Sequence, residues 1–76
     1  METMESLINT LPPELIRQKG RRAIITLVSG EREEYLFLGK HKDALVISRE
    51  PYVAVKPYRD IHLIREAQVQ DIQYLD

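Results

Sequence analysis

The chain has 76 residues and no cysteine, and its 11 Lys or Arg against 12 Asp or Glu give a formal net charge of −1. A chain of this length forms one domain that buries only roughly 60% of its unfolded surface, and it has no disulfide to reinforce the core. The balanced charge predicts no general attraction to nucleic acid or to anionic membrane, so any site for a polyanion must be a local cluster.

Signals for a membrane, a secretion route or a cofactor are missing from the sequence. No apolar run approaches the roughly 20 residues of a membrane span, and Glu2 and Glu5 stand where a secretion signal carries positive charge. Two histidines without cysteine do not indicate a structural zinc site. We therefore expect a cytoplasmic protein with no metal, no other cofactor and no membrane contact.

The first twenty residues show the apolar spacing of an amphipathic helix. The residues of this stripe, at intervals of three and four, are Leu7, Ile8, Leu11, Leu15 and Ile16. Pro12 and Pro13 interrupt the stripe, and proline is tolerated in the first turn of a helix but not in its interior. The pattern predicts a short turn before Pro12 and a helix over 12–19, ended by Gly20.

Three apolar segments separated by polar breaks follow. The sequence predicts strands at 23–28, 31–39 and 44–47, because these runs are short and bounded by turn residues. Ser29-Gly30 makes the first break and residues 40–43 make the second. The far end of the second strand is apolar on both faces, which indicates a bent, curled sheet.

The rest of the chain is more polar. Residues 52–56 alternate, with Val53 and Val55 on one face, and predict a fourth strand; residues 57–60 break the pattern, and 61–65 predict a fifth. In the tail, the spacing of Val69, Ile72 and Leu75 fits a helical turn, whereas its glutamines equally suit an exposed extension, so we assign it no structure. One domain over 1–76 is expected, with a helical N-terminus (1–20), a barrel (21–65) and a C-terminal tail (66–76).

A short helix followed by five short antiparallel strands is the order expected of a small, strongly bent open barrel. With the segments IITLVSG and VAVKPYRDIHLI, it resembles the Sm-like (LSm) family, including its bacterial Hfq branch, over about residues 5–65. The family has a second glycine in its second strand, where this chain has Tyr35, and an aspartate in the next loop, answered by Asp43. Its arginine-glycine or lysine-histidine signature in the last turn is replaced by Lys56-Pro57-Tyr58-Arg59. The resemblance implies a mainly β fold of the SH3-like barrel type.

The resemblance also implies a homo-oligomeric ring, in which the fourth strand of one protomer pairs with the fifth strand of the next. Loops 40–43 and 56–60 would then face the pore. Recognition of single-stranded RNA needs flat groups that stack on bases and cations that meet phosphates, and these loops supply both. The candidate RNA-binding residues are His41, Lys42, Asp43, Lys56, Tyr58 and Arg59. We therefore expect a non-catalytic ring that binds single-stranded RNA, with single-stranded DNA as a second ligand to test, and serves RNA processing or regulation.

Purely structural roles, without RNA contact, remain as alternatives for the same residues. His41 and Lys42 also suit the solvated tip of a hairpin, Tyr58 could fold over the barrel end, and Arg59 could pair with Asp43 or Asp60. His62 lies within an apolar strand and fits a packed or interface residue better than a ligand. The basic residues between 17 and 22 form a second local cluster.

Other functions have less in their favour. A small barrel that binds a protein partner through Tyr35, Tyr52 and Tyr58 is the main alternative, and it suits the neutral charge. A binder of double-stranded DNA would carry a basic excess that this chain lacks. Catalysis is not expected, because no phosphate-binding glycine loop or paired nucleophile and base is visible, and Glu33 and Glu34 point to opposite faces of a strand.

Overall fold

The computed structural model describes residues 3–54 and 59–75, which form two short helices and one antiparallel sheet. The elements in chain order are α1 (Met4–Asn9), α2 (Pro13–Ile16), β1 (Arg21–Leu27), β2 (Arg32–His41), β3 (Ala44–Ser48), β4 (Ile61–Arg65), a 3-10 turn (Glu66–Gln68) and β5 (Val69–Tyr74). Within the described ranges the strand order is β4-β3-β2-β1-β5, and every neighbouring pair is antiparallel. The predicted mainly β fold with five antiparallel strands is confirmed. The sheet is not closed, and β4 and β5 are its edges.

The N-terminal segment differs from the prediction in both of its parts: the expected short turn is the six-residue helix α1, and the expected helix over 12–19 is the shorter α2. Helix α1 begins after Thr3, whose hydroxyl accepts a hydrogen bond from the Ser6 amide, and α2 begins at Pro13 with Pro12 as its cap. Helix α2 ends at Ile16 rather than at Lys19. The carbonyl of Ile16 at its end, and that of Gln18 two residues beyond, accept hydrogen bonds from the guanidinium of Arg59.

The structure corrects the prediction of the fourth strand. Residues 52–54 are not in a strand, and residues 55–58, which include Val55 and Lys56, lie outside the described part of the chain. The strand predicted as the fifth is β4, and it pairs with β3 so that Ile61 lies opposite Ser48. Residues 49–54 and 59–60, the described part of the β3–β4 connection, are outside the strands, and at the start of this connection the Ser48 hydroxyl and the Glu50 backbone hydrogen-bond to each other.

The C-terminal tail (66–76), for which the sequence predicts no definite structure, contains the fifth strand. Strand β5 pairs with β1, with Ile72 opposite Ile25 and Val69 opposite Leu27. The register shifts between these pairs, which inserts an extra residue into β5. Because of this bulge, the half-buried residues Val69 and Ile72 are three positions apart in the chain. Apolar residues at this interval are typical of a helix, although here they lie in a strand.

The sheet bends where β2 also carries an extra residue. Its pairing with β3 shifts between Phe37 and Gly39, which leaves Leu38 as the bulged residue. Gly39 has a φ of 152°, and a Cβ added there would lie 2.7 Å from Leu15 Cδ2, so α2 packs directly on the bend. All five residues of β3 are buried, as is Leu7 of α1. Since successive residues of a strand face opposite sides, β3 is covered on both faces.

Candidate nucleic-acid interface

The predicted RNA-binding residues His41, Lys42 and Asp43 form the tight connection between β2 and β3, here called the β2–β3 turn. His41 pairs with Ala44 across the ladder, so Lys42 and Asp43 are the two residues at the tip. Lys42 has a φ of 57°, a left-handed conformation that side chains with a Cβ rarely adopt. Both tip residues are exposed to solvent. The turn therefore places a cation and a carboxylate at the surface, directly before the fully buried strand β3.

A second segment of the chain, Arg65 and Glu66, packs against this turn and is here called the β4–β5 corner. Arg65 Nη1 donates to both carboxylate oxygens of Asp43, at 2.6 and 2.7 Å, and the Glu66 amide donates to the Asp43 carbonyl at 2.8 Å. Lys40 at the end of β2 pairs with Glu66, with 2.8 Å between Nζ and Oε1. Charge-assisted contacts of this kind fix orientation. The turn and the corner therefore form one ordered surface.

His41 also contacts the N-terminal segment. Its Nε2 lies 3.0 Å from the hydroxyl oxygen of Thr10, the C-terminal cap of α1. The ring is partly buried, whereas Lys42 beside it is exposed. The imidazole is thus held by a residue 31 positions earlier in the chain.

Sequence reasoning missed Arg65, Glu66 and Thr10 as members of this surface. Arg65 is a basic residue at the end of the apolar strand predicted at 61–65, and Glu66 follows it; a local pattern does not show that this end of the strand reaches the β2–β3 turn. Nothing in the sequence pairs Thr10 with His41, since that contact depends on how the helix packs on the sheet.

Arg59 lies away from this surface. Strand β4 is antiparallel to β3, with Ile61 opposite Ser48 and Arg65 opposite Ala44. Arg59 precedes Ile61, so it lies beyond the far end of β3, roughly 13 Å or more along the strand from the β2–β3 turn. The structure therefore does not bring Arg59 to the turn.

The guanidinium of Arg59 is engaged by the backbone. Its Nη1 donates to the carbonyls of Ile16, at 2.9 Å, and Gln18, and its Nε donates to the carbonyl of Glu50 at 3.0 Å. Burial lowers the pKa of Arg59, and the charge of Glu50 opposes this shift. Arg59 joins the end of α2 to the start of the β3–β4 connection.

The remaining predicted residues divide into two groups. Lys56 and Tyr58 lie outside the described residues. His62 is exposed on β4, and its Nε2 lies 3.0 Å from a carboxylate oxygen of Asp60, two residues earlier in the chain. Asp60 and Asp43 thus have partners other than Arg59.

A second polar group lies towards the other end of β2. Tyr35 donates from its hydroxyl to Glu33 at 2.6 Å, and Arg49 donates to the same oxygen at 2.9 Å. The hydrogen bond from Tyr35, helped by the charge of Arg49, lowers the pKa of Glu33. Burial, with the bond to Glu33, raises the pKa of Tyr35. Glu34 pairs instead with Arg22, as expected for adjacent residues that point to opposite faces.

Two searches of the described residues bear on other kinds of site. No group of three or more His, Cys, Asp or Glu is arranged to hold a metal ion in residues 3–54 and 59–75. None of the helices in those ranges is long and apolar enough to cross a membrane.

Comparisons with protein-family models, curated proteins and solved structures return no match.

Proposed function

We propose that this protein is a non-catalytic, Sm-like RNA-binding protein that contacts single-stranded RNA through the β2–β3 turn, within a ring of identical subunits. The observation that carries the proposal is the contact between Asp43 and Arg65. It joins two segments 22 residues apart into one surface, in a turn that also contains His41 and Lys42.

The corrected strand assignment strengthens the resemblance to the Sm-like family. With Ile61–Arg65 as the fourth strand, the last turn begins at Arg65 instead of Lys56. An arginine then stands where the family's signature has a basic residue, and it binds Asp43, the residue that answers the family's loop aspartate. Glu66 follows Arg65 where the family has glycine or histidine, so only the basic residue of the two-residue signature is matched.

The chemistry of the surface suits an unpaired RNA strand. The ring of His41 can stack on a base, and Lys42 can meet a phosphate. Asp43 has both carboxylate oxygens occupied by Arg65, which gives it the role of ordering the turn. Lys56 and Tyr58 remain proposed contacts, and Arg59 has a place in the connection instead.

The two free edges of the sheet support a ring. Strands β4 and β5 each have one neighbour among the described strands, which leaves one side of each ladder open. Pairing β4 of one subunit with β5 of the next would satisfy these backbone groups and extend the small core. The ring would repeat the β2–β3 turn around one axis.

The test is the affinity of short single-stranded RNA for three variants. His41→Ala should weaken binding by about 1 to 3 kcal/mol if the imidazole stacks on a base. Lys42→Gln should weaken binding and reduce its salt dependence, because one phosphate contact is lost. Arg32→Gln is the matched control: it removes a cation from the opposite end of the same strand, where no RNA contact is proposed.

If His41→Ala and Lys42→Gln bind as the parent does while Arg32→Gln does not, the interface has been assigned to the wrong end of β2. The same titration with single-stranded DNA reports whether the 2′-hydroxyl contributes.

A protein-binding function is the second candidate, and one observation favours it. A cleft of about 600 Å³ lies between the N-terminal helices and the start of β4, and Ile8, Leu11, Ile16 and Ile61 line it. Ile8 is 46% exposed although it is apolar. Such a cleft can accept apolar side chains of a partner. A partner bound there would show little salt dependence and would be unaffected by His41→Ala.

A further inference from the structure

The end of helix α1 lies against the proposed RNA surface through one hydroxyl group. Thr10 Oγ1 lies 3.0 Å from His41 Nε2, 3.2 Å from the Leu7 carbonyl and 3.3 Å from the Ser6 carbonyl. Leu7 is fully buried in the core, which anchors the helix carrying this hydroxyl. The position of Thr10 is therefore set by packing and does not depend on His41.

The hydrogen-bonding capacity of these groups selects one tautomer of His41. The Thr10 hydroxyl has a single proton, and carbonyl oxygens can only accept. If that proton goes to a carbonyl of α1, the hydroxyl oxygen accepts from a protonated Nε2, and the hydroxyl takes part in two hydrogen bonds. If it goes to Nε2 instead, the carbonyl contact is lost and the ring proton sits on Nδ1, for which the described residues provide no partner. The first arrangement gives the Thr10 hydroxyl two hydrogen bonds and the second gives it one, so the first is favoured.

We infer that Thr10 is a positioning residue that holds His41 in the Nε2–H tautomer and leaves Nδ1 as a hydrogen-bond acceptor for the ligand. This inference rests on the proposed function and adds a specificity to it. An acceptor nitrogen binds a donor group, and RNA offers donors on base edges and on the 2′-hydroxyl, whereas phosphate oxygens only accept. His41 therefore reads a base or a sugar, and the phosphates are left to the cations.

The tautomer is measured directly by NMR correlation of the ring nitrogens with the ring carbon-bound protons. We expect the Nε2–H form of His41 in the parent and in Thr10→Ser, and a mixture of tautomers in Thr10→Val, which keeps the shape and removes the hydroxyl. His62, bound to Asp60, is the internal control and should not change. The Nδ1–H form in the parent, or an unchanged His41 spectrum in Thr10→Val, would overturn the inference.

Binding supplies a second readout. Thr10→Val should weaken the affinity for a short single-stranded RNA about threefold to tenfold, the size expected for one hydrogen bond, and Thr10→Ser should restore it. A loss seen with RNA but not with DNA of the same sequence assigns the donor to the 2′-hydroxyl, and a loss seen with both assigns it to a base edge.

Parent-like affinity of Thr10→Val for both ligands would contradict the inference. If the parent binds neither ligand, the proposed function fails, and the NMR result still decides whether Thr10 sets the tautomer. The free energy of unfolding of both variants, compared with the parent, separates a local effect from damage to the fold.

Discussion

Lys42 adopts a backbone conformation that suits glycine better than lysine. Its φ of 57° brings the Cβ close to the backbone, at a cost of roughly 1 to 2 kcal/mol for a residue with a side chain. Strain of this kind is often found at functional sites. Here it lies at the tip of the turn that we propose to meet RNA.

Lys42→Gly should therefore stabilise the fold relative to Lys42→Ala, by about 0.5 to 1 kcal/mol after the greater freedom of unfolded glycine is counted. Urea unfolding of the two variants measures the difference, and both lack the ammonium group, so charge cancels in the comparison. The glycine variant should bind RNA less well than the parent in spite of its stability. A glycine variant no more stable than the alanine variant would argue against the turn geometry.

The carboxylate of Glu33 gives stability a dependence on pH. Its pKa is lower in the folded protein, because Tyr35 donates to it and Arg49 lies beside it, so folding favours the ionised form. This contribution is present above the ordinary glutamate pKa and is lost as the pH falls through the lowered value. Glu33→Gln should reduce the loss of stability between about pH 5 and pH 3.

Chemical unfolding at a series of pH values tests this expectation. Glu34→Gln is the control, since it removes the neighbouring carboxylate, which takes its hydrogen bond from Arg22 on the opposite face. If the acid limb of Glu33→Gln matches that of the parent, the hydrogen bond from Tyr35 does not persist in solution.

At the scale of elements, Arg59 connects the end of α2 to the β3–β4 connection. Three donor contacts reach the carbonyls of Ile16, Gln18 and Glu50. Arg59→Gln removes them, and the carbonyls of Ile16 and Gln18 lose this donor while that of Glu50 still accepts from Ser48, which should destabilise the fold by about 1 to 3 kcal/mol. Denaturant unfolding measures this cost. Arg32→Gln, at an exposed position, should change stability by less than about 0.5 kcal/mol, and equal losses in the two variants would contradict the role given to Arg59.

The elements differ in how much of them the sequence could predict. Strands β1, β2 and β3 lie close to their expected bounds, because Gly30 and the polar tip at Lys42 mark both hairpin turns. Strand β5 was missed because its bulge gives Val69 and Ile72 a helical spacing. The alternation that predicts a fourth strand at 52–56 is not matched at residues 52–54, which are not in a strand.

The candidate site was predictable only in part for a similar reason. His41, Lys42 and Asp43 are adjacent in the chain, so a polar break between two apolar runs was enough to find them. Arg65 and Thr10 join them through tertiary contacts, and a local pattern has no information about which distant residue reaches a turn.

At the scale of the whole molecule, the account predicts assembly. A small sheet in which β4 and β5 each have one neighbour among the described strands is expected to form a closed homo-oligomer, because a ring satisfies the edges without open-ended growth. Light scattering after size exclusion should give a single mass that is an integer multiple of the chain mass and is stable on dilution. A monomeric mass at micromolar concentration would contradict the ring and would leave the RNA surface as a property of one subunit.

If the β2–β3 turn binds the phosphates and bases of a single RNA strand, the affinity for that strand must depend on salt. We expect a short single-stranded RNA to bind at low salt, with log affinity falling linearly against log salt at a slope of about −0.7 for each phosphate neutralised. Lys42→Gln should flatten that slope, whereas Arg32→Gln should leave it as in the parent. No binding at low salt, or an affinity that does not change with salt, would contradict the account.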